Sequence, residues 1–216
     1  NSLFHVLFLA TLAGSTVFVI FTLLTNPQAA ICTSSEYLLI WVKSIIVAVS
    51  WILGYYALQL LPISLVGPVR STAPLWTLLG SILLYSEVPN CGQMIGMATI
   101  FGGYYLLSRA GQHEGYAWNG RGMIVILMAT IVGACSALFD KYLVGCLAMN
   151  RITMQFHFSI DLAVIFGIIA LILHRRNIRS FKWRWSIPAT GLLLILADWL
   201  FFYALSVPDY RISILS

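Results

Sequence analysis

The sequence contains very little charge. Of its 216 residues only 9% are charged, with seven acidic residues against twelve basic ones. A soluble domain of this size carries roughly a quarter charged residues. The chain therefore cannot form a water-exposed surface of ordinary charge density. The net charge is only +5, and the basic residues are not interleaved with exposed aromatic residues. We therefore expect no nucleic-acid partner.

The usual motifs of catalysis and metal binding are also missing. The four cysteines lie at Cys32, Cys91, Cys135 and Cys146, with no C-x-x-C spacing. The chain has no H-E-x-x-H helix motif, no G-x-S-x-G elbow and no phosphate-binding G-x-x-x-x-G-K-[ST] loop. We therefore expect neither an enzyme nor a bound metal or cofactor. Cys135 lies inside an apolar run, which favours a small packing residue.

Long apolar runs dominate what is present, since 60% of the residues are hydrophobic. About 20 apolar residues are needed to cross a bilayer as a helix. Seven runs have this character, at 3–24, 37–60, 64–85, 92–108, 122–143, 156–173 and 187–206, and an eighth begins near 210. They lack the alternation of a membrane β-barrel. The sequence thus predicts an all-α, polytopic helical membrane protein in a lipid bilayer. It begins without Met and stops inside the eighth run, so we expect a fragment.

One segment of the chain is echoed later. Two segments have similar but not identical sequences: Trp51-Ile-Leu-Gly-Tyr-Tyr-Ala-Leu-Gln-Leu-Leu-Pro62 and Leu200-Phe-Phe-Tyr-Ala-Leu-Ser-Val-Pro208. An odd number of apolar runs separates the copies, so the second copy is expected to cross the membrane in the opposite direction. Inverted repeats of this kind are typical of secondary transporters, which build two alternating faces around one site.

Four charged residues lie within apolar runs, where each is costly unless paired or hydrated: Lys43, Arg70, Asp161 and Asp198. Arg70 belongs to the polar stretch 64–74, in which Pro68 and Pro74 weaken the helix. A broken helix that carries a guanidinium suits an anionic or zwitterionic ligand. The alternative is an Arg fixed by an internal carboxylate such as Asp198.

The other buried charges have their own alternatives. Asp198 lies near the middle of its run and suits proton coupling, or permanent pairing with Arg70 or Lys43. Asp161 falls about one turn into a predicted helix, where an acidic residue stabilises the N-terminus. Lys43 lies near a run end and is expected to reach the headgroups. Together with three aromatic residues and a serine, these considerations predict a central substrate-binding cavity lined by Tyr56, Arg70, Ser71, Trp76, Asp198 and Tyr203.

Several motifs resemble the EamA-like branch of the drug/metabolite transporter superfamily. In the first half these are the run from Tyr56 to Pro74, then Leu83-Leu-Tyr-Ser-Glu87 and the glycines Gly96, Gly102 and Gly103. In the second half they are Leu138–Leu143, Trp183–Pro188 and Ala197–Ser206. The resemblance implies ten helices in two inverted five-helix repeats, here 1–111 and 120–216. The complete runs would then be helices two to eight, with the cavity between helices three, four, eight and nine.

The predicted function is a secondary active transporter that exports or exchanges a small metabolite by alternating access, in the bacterial inner membrane. The alternative is a non-transporting membrane subunit or scaffold of an envelope complex. Orientation stays open. Seven Lys and Arg residues in 109–121 and 174–186, against Arg151 alone on the other side, place those two loops in the cytoplasm. The usual topology of the resembled family places 174–186 outside.

Overall fold

The computed structural model describes residues 3–112, 120–174 and 185–206, and these residues contain no strand. The α-helices of this part of the chain are α1 (Leu3–Thr25), α2 (Ser34–Leu60), α3 (Ile63–Arg70), α4 (Ala73–Tyr85), α5 (Cys91–Gln112), α6 (Gly120–Lys141), α7 (Arg151–His174) and α8 (Ser186–Leu205). A 3-10 turn, Pro27–Ala30, follows α1, and a π-turn, Tyr142–Cys146, follows α6. The predicted basic segment 175–184, Pro208 and the eighth run near 210 lie outside the described residues.

Helices occupy every predicted run, which confirms a polytopic helical membrane protein. Five helices are long and apolar enough to cross a membrane: α1, α2, α6 with its π-turn, α7 and α8. The run 64–85 is divided into the shorter helices α3 and α4. In α5 the apolar part is limited to Met94–Gly103.

The described residues fall into two compact units. Of these residues, 3–48, 142–174 and 185–206 form the first unit, and 49–112 and 120–141 form the second. Each unit takes helices from both predicted repeats, because compactness follows packing rather than chain order. The repeat boundaries themselves, 1–111 and 120–216, stay a prediction.

In the first unit, α1 packs against both α7 and α8. Its crossing with α8 is made by glycines: a Cβ on Gly14 would lie only 2.6 Å from the carbonyl oxygen of Gly191. Small residues let helix backbones approach closely in lipid, where packing rather than water exclusion drives association. The α1–α8 crossing is therefore a direct contact between backbones.

Side-chain contacts in the first unit fix the directions of its helices. Along α2, Tyr37 meets His157 and the later Ser44 meets Asp161, so α2 and α7 run in the same direction. Gln155 at the start of α7 donates to the Ile195 carbonyl of α8, while Arg151, still earlier, reaches past the end of α8. α7 and α8 are therefore antiparallel. It follows that α2 and α8 run in opposite directions, in agreement with the direction predicted from the echo.

The second unit is built around a cluster of buried apolar residues from α2, α3, the connection between them and α6. Its members are Ala57, Leu61, Val66, Ile126 and Ala129. A hydroxyl adds to this packing, because Ser50 Oγ donates a 2.8 Å hydrogen bond to the Ala129 carbonyl. The cluster packs the end of α2 and α3 against α6. This packing fixes the position of α3, the helix that leads into the α3–α4 break.

The cysteines are free thiols, and one of them departs from its expected role. Cys135 is exposed on α6 and is not packed inside the bundle. Cys91 and Cys146 are exposed as well. The prediction of Cys135 as a packing residue was wrong because an apolar run of membrane length leaves one face toward lipid, and run composition does not reveal which face.

Candidate functional site

A break between α3 and α4 interrupts the third predicted span. α3 ends at Arg70 and α4 begins at Ala73. Ser71 donates to the Gly67 carbonyl from both its backbone N–H and its Oγ, at 3.0 and 2.9 Å, and Thr72 Oγ1 donates to the Val69 carbonyl at 2.7 Å. Each hydroxyl donates to a carbonyl that the backbone N–H of the same residue also reaches, so both hydroxyls are satisfied within their own helical turn. The polar break expected from Pro68 and Pro74 is present.

The Arg70 side chain folds back onto α2. A Cβ on Gly54 would lie 2.9 Å from Arg70 Nη1, so the guanidinium occupies the space that this glycine leaves open. The neighbouring Tyr55 is close enough to interact with its charge. Among the described residues of the second unit, no carboxylate forms an ion pair with Arg70. The alternative pairing with Asp198, which belongs to the first unit, stays a prediction.

Three more of the predicted cavity residues belong to the same unit as Arg70. Ser71 lies in the break itself, and Trp76, one turn further on, donates from Nε1 to Thr72 Oγ1 at 3.3 Å. Tyr56 follows Tyr55 on α2 and is 52% exposed. The break thus carries a guanidinium, two hydroxyls and the Trp76 ring on one short stretch of chain, with Gly54 and Tyr55 of α2 beside Arg70.

The remaining two predicted residues, Asp198 and Tyr203, lie on α8 in the first unit. Asp198 is partly buried. Tyr203 stacks on Trp199 with ring centroids 6.0 Å apart and an interplanar angle of 18°. Its ring also faces Arg151, whose Cζ lies 4.4 Å from the ring centroid.

Arg151 was missed as a candidate, since the sequence showed it only as a loop charge. The available signal was its isolation: it is the one basic residue in the connections on its predicted side.

Lys43 is buried, so the prediction that it reaches the headgroups was wrong. Its side chain is 1% exposed, and its Nζ lies 4.2 Å from the Phe158 ring centroid and 4.5 Å from that of Phe202. An ammonium over two aromatic faces is stabilised by their quadrupoles where water is excluded. These rings come from α7 and α8, so the sequence around Lys43 could not predict that they would bury its side chain.

Asp161 also differs from its predicted setting. α7 begins at Arg151, so Asp161 lies about three turns into the helix, where the N-terminal dipole no longer acts. The carboxylate is 3% exposed and accepts hydrogen bonds from Tyr37 Oη at 3.4 Å and Ser44 Oγ at 3.3 Å. With Lys43, it forms a buried polar region between α2 and α7 that the sequence did not indicate.

A third polar contact joins α6 to the segment after α4. Lys141, the last residue of α6, forms an ion pair with Glu87 Oε1 and lies 4.8 Å from the Tyr85 ring centroid. Tyr85 Oη donates to the Leu138 carbonyl at 2.8 Å. Ser86 adopts a left-handed conformation, with φ of 53°, which ends α4 and turns Glu87 toward Lys141.

Metal ligation finds no support in the part of the chain that the structure describes, where no group of three or more His, Cys, Asp or Glu side chains lies together. The arrangement of the described site residues is instead suited to binding a small ligand. Guanidinium, hydroxyl and aromatic groups can bind a ligand by charge, hydrogen bonding and stacking, without bond making or breaking.

The comparisons with known proteins agree with this picture. The EamA-like transporter family matches residues 2–109, which is half of the chain. That range includes the α3–α4 break, Gly54 and Arg70. No match is found among curated proteins. On its sequence match and its apolar helices, the chain belongs to the EamA-like transporter family and is a multi-pass integral membrane protein.

Proposed function

We propose that this protein is a secondary active transporter that exports or exchanges a small metabolite by alternating access. The observation that carries the proposal is the polar α3–α4 break, which bears an exposed Arg70 and divides an apolar run of membrane-spanning length. In transporters, such discontinuous helices supply the groups that bind substrate near the bilayer midplane. Membership of a transporter family supports this use of the break.

The chemistry of the residues indicates an anionic or zwitterionic substrate. A guanidinium binds a carboxylate or phosphate in bidentate fashion, and Gly54 leaves Arg70 room to lie against α2. Trp76 and the half-exposed Tyr56 would pack against the apolar part of the ligand. Asp198 would take an ammonium group or a coupled proton. The membrane that we assign is the bacterial plasma membrane.

Reconstitution tests the proposal directly. The purified chain in proteoliposomes is offered labelled amino acids, carboxylates and phosphate esters, and uptake and counterflow are measured. Arg70→Ala should reduce transport of anionic substrates roughly tenfold or more, because a hydrogen bond to a charged group contributes about 1.5–3 kcal/mol. Asp198→Asn should reduce transport of zwitterionic substrates or abolish its pH dependence.

Arg121 provides a matched control. It is an exposed arginine at the start of α6, so Arg121→Ala removes the same charge without touching the break. Transport that is unchanged in both Arg70→Ala and Asp198→Asn would refute the site. A folded protein that transports no member of the panel would instead favour the non-transporting subunit.

A further inference from the structure

An aromatic and cationic ladder lies where α7 begins and α8 ends. It consists of Arg151, Tyr203 and Trp199, in that order of contact. Arg151 Cζ lies 4.4 Å from the Tyr203 ring centroid, and the Tyr203 and Trp199 rings stack at 6.0 Å. Arg151 Nη1 donates a 3.1 Å hydrogen bond to Ser206 Oγ. Two separate helices thus hold one guanidinium against two stacked rings.

The guanidinium of this ladder keeps most of its hydrogen-bonding capacity. An arginine has five N–H donors, and Ser206 Oγ occupies one of them. Among the described residues of the first unit, no carboxylate forms an ion pair with Arg151. The ring beside it is also open, because Tyr203 is 48% exposed. The ladder therefore presents an anion-binding edge next to a half-exposed aromatic ring.

These features select a particular ligand chemistry. The aromatic contact orients the guanidinium, since a cation within about 6 Å of a ring centroid is attracted to the face of that ring. Its remaining donors match a carboxylate or phosphate. The stacked rings beside it match a planar or cyclic body. A lysine would supply the charge but neither the planar stack nor the paired donors.

We propose that Arg151, Tyr203 and Trp199 form a subsite for a planar organic anion, with Arg151 binding its carboxylate or phosphate group. The inference rests on the proposed function and narrows its substrate class from anionic or zwitterionic metabolites to ring-bearing anions. Arg151 becomes a specificity-determining residue that the sequence did not reveal, and the exposed part of the Tyr203–Trp199 pair contacts the ring of the ligand.

A pair of matched probes tests the subsite on the purified full chain. 1-Naphthoate and its neutral analogue 1-naphthamide share a ring and differ in charge, and equilibrium dialysis measures the binding of each. Wild type should bind the anion more tightly. Arg151→Gln should weaken naphthoate binding about tenfold and change naphthamide binding less than about twofold. Arg121→Gln removes an exposed arginine from α6 and should leave both affinities unchanged.

The other outcomes of the binding experiment overturn the subsite. Naphthoate bound no more tightly than naphthamide by wild type, or a preference that survives Arg151→Gln, refutes it. A parallel loss of both affinities shows that Arg151 only supports the helix ends. If Arg151→Gln does not fold, Arg151→Lys is measured instead. An unchanged preference of Arg151→Lys for naphthoate over naphthamide would show that a positive charge alone is sufficient, and it would refute binding by the paired donors of Arg151. Proteoliposomes that transport nothing, while the preference persists, reject the transporter and leave the subsite in place.

Discussion

The relation between Gly54 and Arg70 shows how a missing side chain can position a charged one. Nothing but hydrogen separates the α2 backbone from the guanidinium at this point, and an added Cβ would lie 2.9 Å from Nη1. A contact below 3 Å between a carbon and a nitrogen that are not bonded forces one of them to move. Because Arg70 is the end of a flexible side chain, it is the guanidinium that would shift.

Gly54→Ala should therefore act on Arg70 without changing its charge. We expect the variant to fold, because alanine favours a helix by about 1 kcal/mol over glycine. Transport of anionic substrates should fall severalfold toward the level of Arg70→Ala. The double variant should be no worse than Arg70→Ala alone, since both changes remove one interaction.

Gly67→Ala is the matched control for this prediction. Gly67 lies in α3, one turn before Arg70, and a Cβ there would have no neighbour within 4 Å. Its transport should equal that of wild type. Independent, additive losses in the Gly54→Ala and Arg70→Ala double variant would show that the two residues act separately.

Individual residues were predictable where the signal was local. The helix break at Arg70 was predicted because a charge inside an apolar run, between Pro68 and Pro74, is visible in the sequence itself. Lys43 and Arg151 were misread because their surroundings come from α7 and α8, far away in the chain. Burial of a long cationic side chain depends on those partners, and a single sequence does not pair them.

At the level of helices, the Glu87–Lys141 ion pair ties the end of α4 to the end of α6. Both side chains are mostly buried, at 13% and 17% exposed, and Glu87 Oε2 has no hydrogen-bond partner among the described residues. Losing one member of a buried pair leaves the other charge uncompensated, which costs more than the pair itself gained. The contact thus stabilises the second unit against separation of α4 from α6.

Lys141→Met should destabilise the protein by roughly 2–3 kcal/mol, somewhat less than for a fully buried pair. The charge-reversed double variant Glu87→Lys with Lys141→Glu should recover part of this loss. Thermal unfolding in detergent measures both effects. Arg121→Met, at the other end of α6, is the control and should leave the midpoint unchanged. Equal midpoints for Lys141→Met and wild type would show that the pair contributes nothing.

The helices differed in how well their ends could be predicted. The division of the third span followed from its prolines and hydroxyl residues, which act on their own backbone. The start of α7 was placed too late, at 156 rather than Arg151, because Ile152 and Thr153 stand among polar neighbours. That error of more than one turn produced the wrong setting for Asp161. Helix ends in membrane proteins extend beyond the apolar run, so hydropathy alone underestimates them.

For the whole molecule, the seven predicted crossings place the connections after α1, α4 and α6 on one side of the membrane. Cys32, Cys91 and Cys146 mark these three connections. A membrane-impermeant maleimide should therefore label all three from the same side. Cys135, in the apolar part of α6, should stay unlabelled until the membrane is dissolved. Labelling of Cys91 from the side opposite to Cys32 would show that α3 and α4 do not complete one crossing.

The pH of this experiment affects Cys32. Burial raises the pKa of the Cys32 thiol above its ordinary value, and the nearby carboxylates of Glu36 and Asp161 raise it further. A raised pKa leaves less thiolate at neutral pH, so labelling should be slow there and accelerate as the pH rises. Glu36→Gln should accelerate it modestly at fixed pH. The labelled side also decides between the orientation from the Lys and Arg count and the usual family topology.

At this scale the class of the protein was fully predictable, since composition and run length alone require a helical membrane protein. The assembly was less so. The two compact units combine segments from both predicted repeats, and which helices share a unit depends on contacts such as Gly14 with Gly191. Such contacts are made by small residues that carry little sequence signal. The predicted cavity, with residues in both units, stays a prediction.

The hydroxyls of Ser71 and Thr72 have one more consequence. Each closes a carbonyl of its own helical turn, at Gly67 and Val69, and neither bond requires a neighbouring element. Acyl chains can consequently border the gap between α3 and α4 without meeting an unsatisfied hydroxyl at Ser71 or Thr72. These two side chains can therefore face lipid whether or not another helix lies opposite them.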